Sequence, residues 1–232
     1  MARSPFGTRK TSTRIAEADS VAVIGLGRFG TALALELMES GTEVLGIDTD
    51  EDIVQSLNGR LTHVVRSDST SEEALRQLAL PEFDRVVVAI GSDIQASILT
   101  TSLLLRFGIP SIWAKAENDA HGQIFEQLGV HHVIYPEKDM GRRVAHLVRG
   151  AALDYIEIDR DFAIVKMGPN SAVLGIPLGE SGVRAKHGVT VLAVKRGDTG
   201  WKNADVDTVI RDGDTLLVSG PTAKAEAFGQ LR

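Results

Sequence analysis

At 232 residues, the chain is long enough for one large domain or two modest ones. Its 43% apolar content, its lack of cysteine and its net charge of −6 exclude disulfide and thiolate chemistry and argue against a broad nucleic-acid surface. Apolar runs such as residues 86–90 are far too short to cross a bilayer, and the N-terminus lacks the apolar segment of a signal peptide, so a cytoplasmic protein is expected.

Residues 1–20 carry Arg3, Arg9, Lys10 and Arg14 among Ser, Thr, Gly and Pro, with no helical or strand period. They read as a flexible basic arm, either simply solvated or a docking segment for lipid or a partner. The first strand is the apolar run 21–24. It feeds into Gly25, Gly27 and Gly30, spaced as Gly-x-Gly-x-x-Gly, and a helical pattern over 31–40 follows. In such a turn Gly25 bends the chain, Gly27 lets backbone approach a phosphate, and Gly30 lets the helix pack close on the strand. The helix N-terminus offers free N–H groups and a positive dipole end to an anion. A second strand, 43–47, ends at Asp48, about twenty residues on, where a carboxylate binds ribose hydroxyls and repels the 2′-phosphate of NADP. Strand, glycine turn, helix, strand and acid together predict nucleotide binding.

Arg28 and Phe29 fill the variable positions of the turn. The Arg28 guanidinium is placed to clamp a terminal phosphate; the competing reading is a solvated helix-start arginine. Residues 51–58 read as a helix and 62–66 as a third strand. Asp68, Ser69 and Thr70 then either meet an adenine edge or form the capping turn of a helix over 71–79. A fourth strand over 86–90 is closed by Gly91, and the small residues of the stretch Ala89, Ile90 and Gly91 leave room for a ribose. A long helix, 93–107, stops at Gly108 and Pro110. Lys115 closes a fifth strand, 111–115, at the same rim, where it could contact phosphate. A helix over 120–128, a short strand over 132–135 and a helix from Pro136 to about residue 149 complete the alternation. Glu137, in the first turn of that helix, is explained by the dipole alone. Regular alternation predicts a Rossmann-like, doubly wound parallel sheet over 21–150, with ligands outside the carboxyl ends of its strands.

Past residue 150 the pattern changes to short strands (155–158, 163–167, 189–195 and 215–219), a mixed helical segment (178–187) and a C-terminal helix. This is a small α+β domain, 151–232, near the lower size limit for a stable core. The six histidines show no helical metal spacing, and no nucleophile elbow is present. No catalytic residue is assigned. An NAD-dependent oxidoreductase is the alternative, with Lys115 or His121 as acid or base. A DNA-binding repressor would need a recognition helix that the chain does not offer.

The stretches 22–30, 86–97, 112–118, 135–141 and 183–188, and above all Pro136-Glu137-Lys138-Asp139-Met140-Gly141, resemble the cytosolic regulatory subunits of bacterial potassium uptake systems, the KtrA/TrkA type with RCK_N and RCK_C domains. The likeness spans essentially all of 21–232. It implies a homodimer assembling into an octameric ring at the inner face of the membrane, under an integral-membrane, KtrB/TrkH-like K⁺ channel subunit. It implies ATP, ADP or NAD(H) in the first domain, with Arg28 sensing the terminal phosphate and Asp48 holding the ribose. It implies that Glu137 helps bind a cation, Na⁺ or Mg²⁺/Ca²⁺, near the nucleotide at the dimer interface. Arg184, Ala185 and Lys186 match a region that in some relatives binds cyclic di-AMP between subunits. The basic arm is longer than the resemblance requires.

Overall fold

The computed structural model describes residues 20–149 and 152–231. The expected arm lies outside them, except for Ser20, which opens the first strand. Two compact units meet at the Glu137/Lys138 boundary.

In the first unit, apolar runs flanked by turns form the strands of a parallel sheet. These are β1 (Ser20–Ile24), β2 (Glu43–Asp48), β3 (His63–Arg66), β4 (Arg85–Val88), β5 (Ser111–Lys115) and β6 (His132–Ile134). Their order is β3-β2-β1-β4-β5-β6, with every pairing parallel. The order reverses between β1 and β4, which creates the crevice at which such sheets bind ligands. The intervening helices are α1 (Arg28–Glu39), α2 (Glu51–Leu57), α3 (Glu72–Gln77), α4 (Ile94–Arg106) and α5 (Asp119–Leu128).

Because side chains alternate across a strand, each strand feeds two cores. Val21, Val23 and Val44 pack with Ala34, Leu57 and Leu61. Ala22, Ile24, Val86, Val88 and Ile112 pack on the other face with Leu75, Leu104 and Phe125. Helix starts are set by side chains: Asp50, Ser71, Asp93 and Asn118 each accept a backbone N–H of their own first turn. Such a cap contributes about 1 kcal/mol. The fourth strand is shorter than the expected 86–90, because the ladder of β4 stops at Val88. Beyond it the Ala89 amide still donates to the Ile24 carbonyl (2.7 Å) before the chain turns over the crevice.

Helix α6 (Pro136–Val148) begins at the end of the first unit and continues into the second. Within the second unit, Arg142 pairs with Glu157 (3.0 Å), Arg143 with Asp154, and Leu147 packs on the core of that unit. The second unit has an antiparallel sheet built from β7 (Asp154–Asp159), β8 (Phe162–Met167), β9 (Thr190–Arg196), β10 (Trp201–Asn203) and β11 (Asp214–Pro221). Their order is β10-β9-β11-β8-β7. Alternate residues Tyr155, Ala163, Val165, Met167, Leu216 and Val218 point into one core with Phe228 of the last helix, α9 (Thr222–Gly229). The mixed helical segment resolves into α7 (Leu178–Ser181) and α8 (Val183–His187), broken at Gly182, whose φ of +64 ends the first of them. β10 has no counterpart in the sequence pattern, because Trp-Lys-Asn is too short and too exposed to show a period.

Candidate functional site

The C-terminal ends of β1, β2, β4 and β5 deliver the expected residues to one rim of the first sheet. Gly25 leaves β1 at φ +91, a left-handed conformation that glycine adopts without strain. Its amide donates to the Ile47 carbonyl (2.8 Å), and a Cβ there would lie 2.8 Å from the Ile90 nitrogen. A Cβ on Gly30 would lie 1.9 Å from the Gly25 carbonyl oxygen, so α1 packs on the turn only because Gly30 has no side chain. Gly27 differs: it is exposed, and a Cβ there would meet nothing within 4 Å. It serves as the N-cap of α1, no side chain caps that helix, and no acid stands in its first turn. The exposed N–H groups and unopposed dipole suit an anion.

Arg28 is the first residue of α1 and is exposed; Phe29 is half-buried. Asp48, the last residue of β2, accepts the Leu26 amide through Oδ2 (2.6 Å) and the Asp50 amide through Oδ1 (2.9 Å). Each carboxylate oxygen carries a second lone pair, so the group can hold the turn and still accept ribose hydroxyls. Asp68 is exposed. Its Oδ1 accepts from the Thr70 hydroxyl (2.7 Å) and amide (2.9 Å), and these bonds hold its pKa below the ordinary carboxylate value. Ser69 is buried and its hydroxyl bonds that of Thr100 (2.9 Å), so it can offer a ligand only its backbone. Ala89 is buried, and Ile90 lies beside Gly25.

Lys115 is 7% exposed, and its ammonium contacts Glu137 (2.8 Å) and Glu117 (3.3 Å). Burial works against its charge, but the hydrogen bonds to Glu137 and Glu117 outweigh it and raise its pKa. Lys115 in turn is the main cause that lowers the Glu137 pKa, and the positive charge of Arg28 adds to it. Gly91 makes room for this cluster: a Cβ there would stand 2.8 Å from both the Lys115 Nζ and a Glu117 carboxylate oxygen. Sequence reasoning misses Glu117. The available signal is its place two residues beyond Lys115, the spacing that returns an extended chain to the same side. His121 is also buried; its Nδ1 accepts the Glu117 amide (3.3 Å), and burial lowers its pKa.

Among the described residues no cluster of three or more His, Asp or Glu could hold a metal. The one expected cation ligand, Glu137, is occupied by Lys115. Arg184, Ala185 and Lys186 are exposed on α8; the Arg184 Nε donates to the Thr190 hydroxyl (3.3 Å) and the Lys186 ammonium to the Ser181 carbonyl (2.9 Å). No helix among the described residues is long and apolar enough to cross a membrane.

The family model of the TrkA-N domain matches residues 21–136, and that of the TrkA-C domain matches 162–231. Ktr system potassium uptake protein C of Bacillus subtilis is 41% identical over 208 residues, covering 89% of this chain and 94% of that protein. Ktr system potassium uptake protein A of the same organism is 40% identical over 209 residues, with the same coverage. The solved structure of the GsuK channel bound to NAD superposes with a TM-score of 0.62 at 16% identity. That alignment covers 88% of this chain and 38% of the GsuK chain, and it establishes a shared fold. With both domains matched in order and Ktr relatives aligned along nearly their whole length, the chain belongs to the family of Ktr system potassium uptake proteins, a TrkA-N domain followed by a TrkA-C domain.

Proposed function

We propose that this protein is the nucleotide-sensing regulatory subunit of a bacterial K⁺ uptake system. It binds ATP, ADP or NAD(H) in the crevice between β1 and β4 and gates an integral-membrane K⁺ channel subunit. The observation that carries this reading is the uncapped N-terminus of α1 behind an open Gly27, with Asp48 at the end of the neighbouring strand. Phosphates meet the helix N-terminus and the ribose meets Asp48. The NAD bound to the GsuK channel is consistent with a dinucleotide in such a fold.

On this reading the protein forms homodimers that assemble into an octameric ring against the inner face of the membrane. Cyclic di-AMP binds the second domain near Arg184, Ala185 and Lys186. Glu137 helps bind a cation near the nucleotide at the dimer interface, which requires its carboxylate to turn from the Lys115 ammonium. Gating requires that a nucleotide bind one ring state better than the other. Arg28 supplies such a difference if it reaches a γ-phosphate that ADP lacks, a coupling of about 1–3 kcal/mol per site. The oxidoreductase reading is less well supported, because Lys115 is engaged by two carboxylates and His121 is buried.

The test is calorimetric titration of ligand-stripped protein with ATP, ADP and NADH, repeated on Arg28→Ala. The phosphate-switch reading expects ATP to bind tightest and Arg28→Ala to erase the preference over ADP. Tightest binding of NADH, with the substitution neutral, overturns the Arg28 role and reopens hydride transfer.

A further inference from the structure

Arg66 holds a specific position beside the nucleotide rim. It is the last residue of β3 and the ladder partner of Asp48 at the end of β2. Ladder partners put their side chains on the same face of a sheet. The neighbouring pair bears this out, since Ile47 and Val65 pack in the same core.

The guanidinium does not extend into solvent at random. Its Nε donates to the Thr49 carbonyl (3.0 Å) and its Nη1 reaches the Glu51 carboxylate (3.4 Å). Those two acceptors flank the turn that begins at Asp48, so the guanidinium is tethered across that turn. Its side chain nevertheless remains 61% exposed. An exposed surface pair of this kind contributes little to stability.

A nucleotide laid on this rim runs from phosphates at Gly27 to ribose at Asp48, and its base continues outward beyond β2. That direction leads to the end of β3. A guanidinium held by its edge keeps its flat face open, and flat guanidinium faces stack on aromatic rings by cation–π attraction.

We infer that Arg66 forms one wall of the base subsite, stacking on the purine ring of the bound nucleotide and favouring purine over pyrimidine nucleotides. The inference rests on the nucleotide-binding reading and adds to it a residue that selects the base. Arg66 makes its contribution through the planar face of the guanidinium, while Thr49 and Glu51 set the orientation.

The test is titration of the full chain with ADP and UDP, and with NADH and NADPH, for the wild type, Arg66→Leu and Arg66→Lys. Because Arg66 is exposed, both variants should melt within a few degrees of the wild type, which is checked by circular dichroism. The expected result is a loss of ADP affinity of about three- to thirtyfold in Arg66→Leu, the range of a cation–π contact, with UDP affinity nearly unchanged. Arg66→Lys, which keeps the charge without the plane, should also lose ADP affinity. Equal losses for ADP and UDP that lysine restores would reduce Arg66 to a general charge and overturn the stacking role. NADPH binding tighter than NADH, with Arg66→Leu affecting NADPH alone, would reassign the residue to a 2′-phosphate. Wild-type ADP binding that neither variant alters sinks this inference alone; a wild type that binds no nucleotide sinks the functional reading with it.

Discussion

The Asp48 carboxylate accepts a 2.6 Å hydrogen bond from the Leu26 amide, which ties the end of the second strand to the centre of the glycine turn. The same carboxylate also receives the Asp50 amide, so one side chain orders the glycine turn and the start of α2. This dual position separates two effects that a single substitution would merge. Asp48→Ala removes both acceptors and should cost about 1–3 kcal/mol in urea denaturation, the penalty for leaving backbone donors unpaired. Asp48→Asn keeps one acceptor oxygen and so can retain only one of the two backbone hydrogen bonds. Both should lower nucleotide affinity at least tenfold by calorimetry, because each replacement presents ribose with fewer acceptors and no charge. Normal affinity in Asp48→Asn would restrict the residue to a structural role.

The three glycines of the turn should respond differently to alanine. Gly30→Ala brings a Cβ to 1.9 Å from the Gly25 carbonyl oxygen, and a backbone atom cannot give way as a flexible side chain can. A loss of about 1–3 kcal/mol or more is expected, the cost of overpacking. Gly27→Ala meets open space and an ordinary φ of −62, so its melting temperature should match the wild type. The added methyl group nonetheless stands where the proposed nucleotide would bring a phosphate to the α1 amides, and affinity should fall. A Gly27→Ala protein that binds nucleotide normally would move the phosphate away from this turn.

Much of this site is legible in the sequence because it depends on local rules. The glycine spacing, the acid twenty residues on and the small residues after β4 each follow from backbone geometry that only certain residue types permit. What is not legible involves long-range partners. Nothing in the spacing tells that the Lys115 ammonium also reaches Glu137, or that Ser69 turns inward to Thr100 thirty-one positions away. Arg66 escapes notice for the same reason, since its relation to Asp48 is set by the register of β2 on β3. The second domain is harder still. Its strands are short, and β10 has no buried residue to reveal it.

In the second unit the acid limb of stability should depend on Asp214. Its carboxylate is buried and accepts the Arg196 guanidinium at two points (2.9 and 2.8 Å) as well as the Arg211 amide (2.8 Å). The Arg196 bonds are the main cause that lowers its pKa. A carboxyl whose folded pKa is depressed contributes stability that is complete above its unfolded value and is lost as pH falls through the folded one. Asp214→Asn should therefore be less stable near neutral pH, by about 1–3 kcal/mol, and should show a flatter acid limb. Trp201 lies in this unit and Trp113 in the first, so Trp201 fluorescence in a Trp113→Phe background follows the transition. Parallel acid limbs for the two proteins would exclude Asp214 as the titrating group.

The first unit should carry a second pH dependence, at higher pH, through His121. Its Nδ1 accepts the Glu117 amide, so in the neutral ring the proton sits on Nε2, which has no hydrogen-bond partner among the described residues. Phe125 stacks obliquely on the ring, and the Glu117 charge is the nearby group that favours protonation. Burial opposes it more strongly and the pKa is lowered. For a histidine held neutral by the fold, stability is complete above the unfolded value near 6.5, declines as pH falls below it, and levels off beneath the lowered folded value. The decline can be no steeper than about 1.4 kcal/mol per pH unit, the slope for one proton. Protonation at Nδ1 also turns an acceptor into a donor facing the Glu117 amide, which should loosen the carboxylate that shares Lys115. His121→Leu removes the titrating group, so its stability between pH 7 and pH 5 should fall less than that of the wild type. The measurement is urea denaturation across that range, read by Trp113 fluorescence in a Trp201→Phe background. Equal declines in the two proteins would assign the pH dependence to another group.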